Sequence, residues 1–457
     1  MAVLGFHLVI TLVLLAVISK IKNTMAFVKF FVTKGLYRFI APSNEDLRTL
    51  LPARKENPRA RKKRMEEEDN DGFNVSKQSP FTLKICEVSP DDLQRFQMYD
   101  NLHWLCVYVP TCFLVYAMSE VFLYLMPDNS DFNVSLLWLI CAIFFILQAM
   151  VSLTAYLFRN EDERGLLLTF GALYFLCSCI FTMSTERYFD VALLSAYDRF
   201  NENLVQTMLV NGVETDASVK PQSPLLLYIS LSIFFSFLSA MHVFPCFRYA
   251  LMYLKSNQQR RPIVQLANHV TFVMPAIIIL LFIKPVKEEL IGGRRKLLTE
   301  DQLQILRIYL VFLWAFLRFL AKGVHLQAHL NLAHDKVLQL QQETGYIKNY
   351  QLQTIIFRYY SYFCCAALQY FTPVLLTIMF SLLLKTTCGL SWLCTSSLSA
   401  SASSAPALAA TNPIGVFRSV FDPVVCRAIW SYLLIMLLLI DFSLSSIGVI
   451  YHTYFVR

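Results

Sequence analysis

The chain is short of charge and of glycine. Of its 457 residues only 16% are charged and 13 are glycine, whereas soluble domains carry nearer a quarter charged residues. The hydrophobic fraction is 56%, with 37 Phe and 22 Tyr. That balance excludes an ordinary water-soluble fold, and the continuous apolar runs exclude a membrane barrel, whose strands would alternate. Also missing are paired Cys-x-x-Cys ligands, a Gly-x-Ser-x-Gly elbow, a Walker loop and a His-Glu-x-x-His pair. The local signatures of zinc sites, hydrolases, nucleotide binding and metalloproteases are therefore absent. The net charge of +8 does not point to nucleic acid, because much of it sits in one loop beside a membrane span. No catalytic, cofactor-binding or metal-binding residues are expected.

What is present is a series of apolar runs of bilayer length. The expected fold is an all-α polytopic membrane protein with about nine transmembrane helices and a cytosolic helical hairpin between the seventh and eighth. Residues 1–19 form the first helix or a signal peptide. Val17 and Ser19 suit a cleavage site, but no basic residue precedes the run while Lys20 and Lys22 follow it, which favours an uncleaved helix with its N-terminus outside. The remaining spans fall at 102–126, 134–158, 165–184, 224–245, 264–284, 305–323, 359–384 and 428–450, together making a bundle over 102–457. Orientation rests mainly on Lys20, Lys22, Lys29, Lys34 and Arg38, which place the loop 20–101 inside.

The organising stretch is 299–384. Thr299-Glu-Asp-Gln302 is a capping box that starts a helix, and Thr344-Gly345 supplies a stop. A helix over 300–343 is roughly 66 Å long, about twice the hydrocarbon thickness, so its second half stands in water. There Leu326, Leu330, Ala333, Val337 and Leu340 recur at helical spacing as an apolar seam. Residues 324–357 then form the projecting hairpin. Ile347, Leu352 and Ile355 of the returning segment cover only part of the seam, which leaves Leu326, Leu330, Val337 and Leu340 as a candidate surface for a partner helix.

The loop 20–101 reads as basic and partly disordered. Residues 24–40 suit an interfacial helix, and 41–88 suit a solvated linker or a basic patch on anionic lipid. Ser89-Pro90-Asp91-Asp92 starts the helix that enters the membrane near Leu102. Asn74-Val75-Ser76 and Asn133-Val134-Ser135 are glycosylation sequons. In this orientation Asn74 is cytosolic and unmodified, whereas a glycan on Asn74 would invert every later loop. The loop 385–427 holds a Ser/Ala-rich run, and Cys388 and Cys394 within it are close enough in sequence for a disulfide if the loop is outside.

RFIAPSNEDLR (38–48), RPIVQLANHVTF (261–272), HLQAHLNLAHDKVLQLQQETGYI (325–347), ALQYFTPVLL (367–376) and LLLKTTCGLSW (382–392) resemble the transmembrane protein 161 family. The similarity runs nearly the whole length. The resemblance implies a multi-pass protein of the plasma membrane or an endomembrane, tied to control of potassium or calcium currents and membrane excitability, with partners such as a cation channel or its regulator. It offers no catalytic residues.

The residues themselves offer one other feature with chemical potential. Glu120, Arg318, Lys322 and Asp441 lie in or at the edge of spans, where each charge is costly in lipid. Their functional reading is an ion or proton path for a transporter or channel; their structural reading is buried pairs, with Glu120 and Arg318 expected to pair. Lys322 could also snorkel to the interface. His242, His269, Gln148 and Gln369 add polar groups. His325 and His329 share a helical face as zinc ligands do, but no third ligand accompanies them, and a hydrated face is the plainer reading.

Overall fold

The computed structural model of the protein describes residues 6–21, 27–50, 72–126, 133–159, 161–210, 223–258, 262–293, 297–392 and 419–455. Helix α1 (Phe6–Ile21) has 16 residues, about 24 Å of rise against about 30 Å of hydrocarbon. Among the described residues, eight other helices are long and apolar enough to cross a membrane. They coincide with the eight later spans expected.

Residues Lys29–Thr33 make a single π-helical turn and lead into strand β1 (Tyr37–Ile40), so no continuous interfacial helix runs over 24–40. Helix α2 (Asn44–Thr49) opens with a reciprocal cap between Ser43 and Asp46. Strands β2 (Asn74–Ser76) and β3 (Lys84–Glu87) follow, then a short helix α3 (Pro90–Leu93). The stretch read as a solvated linker is therefore folded on both sides of residues 51–71, which lie outside the described residues. Ser89 does cap α3, its Oγ accepting from the Asp91 N–H at 3.3 Å. That helix stops at Leu93, however, and Met98, at φ 65°, turns the chain before the first span begins.

The spans are α4 (Tyr99–Leu125), α5 (Val134–Leu157) and α6 (Glu161–Tyr188), then, after the amphipathic helix α7 (Leu193–Val210), α8 (Leu225–Asn257) and α9 (Pro262–Leu280). Helix α10 (Lys284–Gly292) leads to α11 (Glu300–Gln342), strand β4 (Tyr346–Lys348) and helices α12 (Asn349–Ser361) and α13 (Phe363–Thr387), and α14 (Pro423–Tyr454) is last. Asn133 serves as a cap: its Oδ1 accepts from the Ser135 N–H at 3.0 Å and the Ser135 hydroxyl at 2.6 Å. Every residue of α13 from Phe363 to Lys385 is buried, as suits a helix that is apolar all round. It is the axis of the bundle, packed by α4, α5, α8, α11 and α14. Helices α8 and α14 cross closely at Gly448, where a Cβ would lie 2.8 Å from the Ala250 Cβ; a small residue is what lets two backbones approach so far.

Helix α11 carries the reciprocal Thr299–Gln302 cap expected of it. At 43 residues it is about 65 Å long and outruns the bilayer on the side where the chain also presents residues 37–50 and 72–98. We call this the domain side and the opposite one the far side. Gly345, at φ 117°, turns the chain into β4, which pairs antiparallel with β2, while β1 pairs with β3. The Gln327 amide clamps β1 onto α11, accepting from the Tyr37 N–H at 3.1 Å and donating to the Tyr37 carbonyl at 3.0 Å. Gly72, at φ 76°, passes so near Asn349 that a Cβ would lie 2.7 Å from its Oδ1. That same oxygen accepts from the Phe73 N–H at 3.2 Å, and the Asn349 amide donates to Asn44.

The result is a small extramembrane domain with its own core of Leu47, Phe73, Val75, Phe81, Ala333, Val337, Leu340, Ile347, Leu352 and Ile356. This corrects the expectation of an open seam. Leu326 is 0% exposed, Leu330 2%, Val337 3% and Leu340 6%. Leu326 and Leu330 join the bundle core, and Val337 and Leu340 are covered by Leu47, Phe73, Val75 and Phe81 from the N-terminal segment.

Candidate functional site

The intramembrane charges sort into separate groups by depth. Arg318 on α11 meets Asp441 on α14, Nη2 to Oδ2 3.2 Å, with side chains 4% and 7% exposed. The guanidinium lies over the Tyr249 ring at 3.5 Å from its centroid, with Trp314 and Tyr370 at 5.3 and 5.6 Å. The Tyr370 hydroxyl donates to the Arg318 carbonyl at 2.5 Å, and Cys246 Sγ is 3.6 Å from the other Asp441 oxygen. An arginine buried among aromatic faces and one carboxylate keeps its charge while presenting a neutral pair to its surroundings. A cavity of about 10 Å3 beside it, lined by Tyr249, Tyr253, Asn268, Thr271, His325 and Tyr370, has about the volume one water needs.

Glu120 does not pair with Arg318. It sits near the far end of α4 and joins Lys385, near the far end of α13, in a close ion pair. Trp392 Nε1 donates to the same carboxylate at 3.1 Å, and the Lys385 ammonium lies 5.0 Å from the Trp392 ring. Lys322 takes a third route, donating to the Phe31 carbonyl at 2.6 Å, so it pins the segment after α1 to the domain side of α11. The four residues are thus distributed over three places, and only Arg318 and Asp441 touch.

A further ion-pair cluster lies at the far side and was not anticipated. Asp190, in the turn between α6 and α7, is 2.9 Å from Arg307 Nη1 and 2.7 Å from Lys287 Nζ, and Lys287 also reaches Glu300 at 2.9 Å. Arg307 is 0% exposed, stacks over Phe282 at 4.1 Å and donates to the Leu281 carbonyl at 2.7 Å. Burial pulls the Lys287 ammonium down, but hydrogen bonds to Asp190 and Glu300 more than offset it, leaving the lysine above its ordinary value. No sequence motif marks Asp190; its partners come from helices about a hundred residues later.

His325 and His329 are buried rather than on a hydrated face. His325 lies against Tyr370, their ring centroids 4.3 Å apart and planes tilted by 35°, and stacks on Tyr249 at 5.3 Å. His329 sits between Arg248, at 3.1 Å from Nδ1, and the Tyr359 carbonyl, at 3.1 Å from Nε2. Among the described residues no group of three His, Cys, Asp or Glu is placed to hold a metal. His242 contacts the Leu238 carbonyl, His269 the Tyr253 hydroxyl, and Gln369 donates to Tyr362. Gln148 has no hydrogen-bond partner among the described residues. Cys388 faces the Pro423 carbonyl at 3.7 Å, and Cys394 lies outside the described residues.

On the domain, exposed ion pairs tie the N-terminal segment down. Lys77 reaches Glu343 at 2.6 Å and Lys84 reaches Asp46 at 2.9 Å. The Lys84 ammonium and the Ser43 cap hold the Asp46 carboxyl down at about 2, and Lys77 holds Glu343 below its ordinary value. Asn74 is exposed on β2, opposite Lys348. Arg38 bridges the domain to the membrane surface, 2.9 Å from Asp92 and 4.2 Å over the Tyr360 ring.

No solved structure matches the chain. A family model described as predicted transmembrane protein 161AB matches residues 2–456. With eight membrane-length helices among the described residues, a membrane-embedded ion pair and a match that spans almost the entire chain, the protein belongs to the transmembrane protein 161 family.

Proposed function

We propose that this chain is a non-enzymatic membrane protein that regulates potassium or calcium currents, and so excitability, through a partner such as a cation channel or its regulator. It acts in the plasma membrane or an endomembrane, with the extramembrane domain in the cytosol. The family resemblance supplies the physiological direction. The observation that supports a regulator over a conduit is that each of Glu120, Arg318, Lys322 and Asp441 is engaged within the fold. Arg318 holds Asp441, Lys385 holds Glu120, and Lys322 holds a backbone carbonyl. A permeating ion would have to break one of these closed contacts. Because the seam of α11 is covered, the partner surface moves to the outside of the domain and the lipid-facing helices.

The alternative is a transporter or channel, and the water-sized polar cavity beside Arg318 favours it. Purified protein in liposomes separates the two. The regulator reading expects no potassium or calcium flux above empty liposomes, together with altered whole-cell current when the same protein is expressed in excitable cells. Intrinsic flux that disappears in Arg318→Gln would overturn it.

A further inference from the structure

Gln148 is a side-chain amide within a span that has no hydrogen-bond partner among the described residues. It is exposed on α5, about 14 Å along the helix from its domain-side end at Leu157, on a face that meets lipid. A side-chain amide in hydrocarbon without a partner is costly. The same surface is concave. Between α4 and α5 runs a groove of about 310 Å3 whose lining includes Asp100, Trp104, Tyr108, Ala142, Phe145 and Gln148. Its polar residues gather toward the membrane surface, since Asp100 opens α4 and Gln148 lies level with the first turns of that helix. Deeper in, the walls are apolar. Trp104 and Phe145 form a flat aromatic face, their ring centroids 6.1 Å apart and their planes 16° from parallel. Tyr108 closes it at 5.1 Å from Phe145, and Ala142, fully buried, keeps the floor low.

The geometry points to this groove as a sterol site, with the sterol hydroxyl on the Gln148 amide and the ring system on the Trp104–Phe145 face. A hydroxyl both donates and accepts, so it satisfies the Gln148 amide, which no group among the described residues reaches. The Asp100 carboxylate at the mouth repels a phosphodiester or a fatty-acid carboxylate and tolerates an uncharged donor. A flat, rigid ring system also loses little conformational freedom in a narrow slot, whereas acyl chains lose much.

The test uses the full-length protein in nanodiscs, a photoactivatable cholesterol analogue, and a photoactivatable phosphatidylcholine in parallel, with labelled peptides mapped by mass spectrometry. The sterol probe is expected on residues 100–109 and 142–149, and unlabelled cholesterol should displace it. Gln148→Leu, a lipid-compatible change at an exposed position, should reduce this labelling about five- to tenfold, the scale of one lost hydrogen bond. Phe145→Ala removes the aromatic wall and should reduce it as well, and it carries the test alone if Gln148→Leu cannot be purified. Labelling that persists in a purified variant would overturn the assignment. So would sterol label spread evenly over the lipid-facing helices, or equal labelling of the same segment by the phosphatidylcholine probe.

Discussion

Removing Asp441 and removing Arg318 should not cost the same. Both side chains are nearly inaccessible, 7% and 4% exposed, and breaking a buried pair by deleting one member costs about 3–5 kcal/mol. Asp441→Asn leaves a guanidinium that still lies 3.5 Å over Tyr249, a contact worth about 2 kcal/mol when desolvated. Arg318→Gln forfeits that contact and strands a carboxylate beside Cys246. The arginine change should therefore be the more damaging, by about 2 kcal/mol. In the double variant two neutral amides face each other, and the loss should fall well below the sum of the singles, with a coupling of at least about 2 kcal/mol. Titration of the purified variants with SDS in mixed micelles, followed by tryptophan fluorescence, reads these differences. Glu120→Gln combined with Arg318→Gln should instead be additive to within about 0.5 kcal/mol, because Glu120 belongs to Lys385. Additive losses for Arg318 with Asp441, or strong coupling of Arg318 with Glu120, would refute the pairing.

Three further outcomes follow from the extramembrane domain. Val337→Asp puts a charge into a site only 3% exposed and should cost several kcal/mol; amide exchange in β2 and β4 should become fast while the spans stay protected. Retained protection would mean that the seam is not sealed. Asp46 is held at about 2 against an ordinary 3.8, and Glu343 lies below its ordinary 4.5. Both carboxyls bind fewer protons folded than unfolded, so their contribution is complete above the ordinary carboxylate range and is lost as pH falls toward about 2. Exchange protection of the strands, corrected for intrinsic rates, should drop with it, and 1 M salt at neutral pH should have a similar effect because both pairs are exposed. Finally, the proposed cytosolic domain predicts that Asn74→Gln leaves the protein's gel mobility and its glycosidase insensitivity unchanged; a glycosidase-sensitive shift at Asn74 would invert the orientation.

The spans were legible because apolar runs of bilayer length leave few alternatives, and α11 was legible because its cap at Thr299 and its seam are both local patterns. Charge partners were harder. Depth along the helices would have separated Glu120, about 8 Å from the far end of α4, from Arg318, about 27 Å from the far end of α11. The same measure places Asp441, about 27 Å into α14, level with Arg318. Rotation of each helix about its axis, which decides whether Asp441 faces α11, is set by packing around α13 and is not written locally. The fold of 37–50 and 72–88 was hidden for another reason. The dense charge of residues 54–71 dominates the composition, whereas the burial depends on four separated anchors, Leu47, Phe73, Val75 and Phe81. Residues so sparse carry no periodicity, and their partners on α11 and α12 come some 270 residues later.

That separation imposes an order on biosynthesis. The Phe73 amide waits for an acceptor 276 positions further along the chain, and at about 5–20 residues per second the wait is roughly 14–55 s. During it five spans must be inserted before α11 emerges, and Leu47, Phe73, Val75 and Phe81 have no core to enter. A nascent chain stalled or truncated before Asn349 would present this apolar segment to the chaperones and proteases on its side of the membrane. Closure of β2 on β4 would then report that α11 and its return have been made, so a defect in a late helix would be read out at the beginning of the chain.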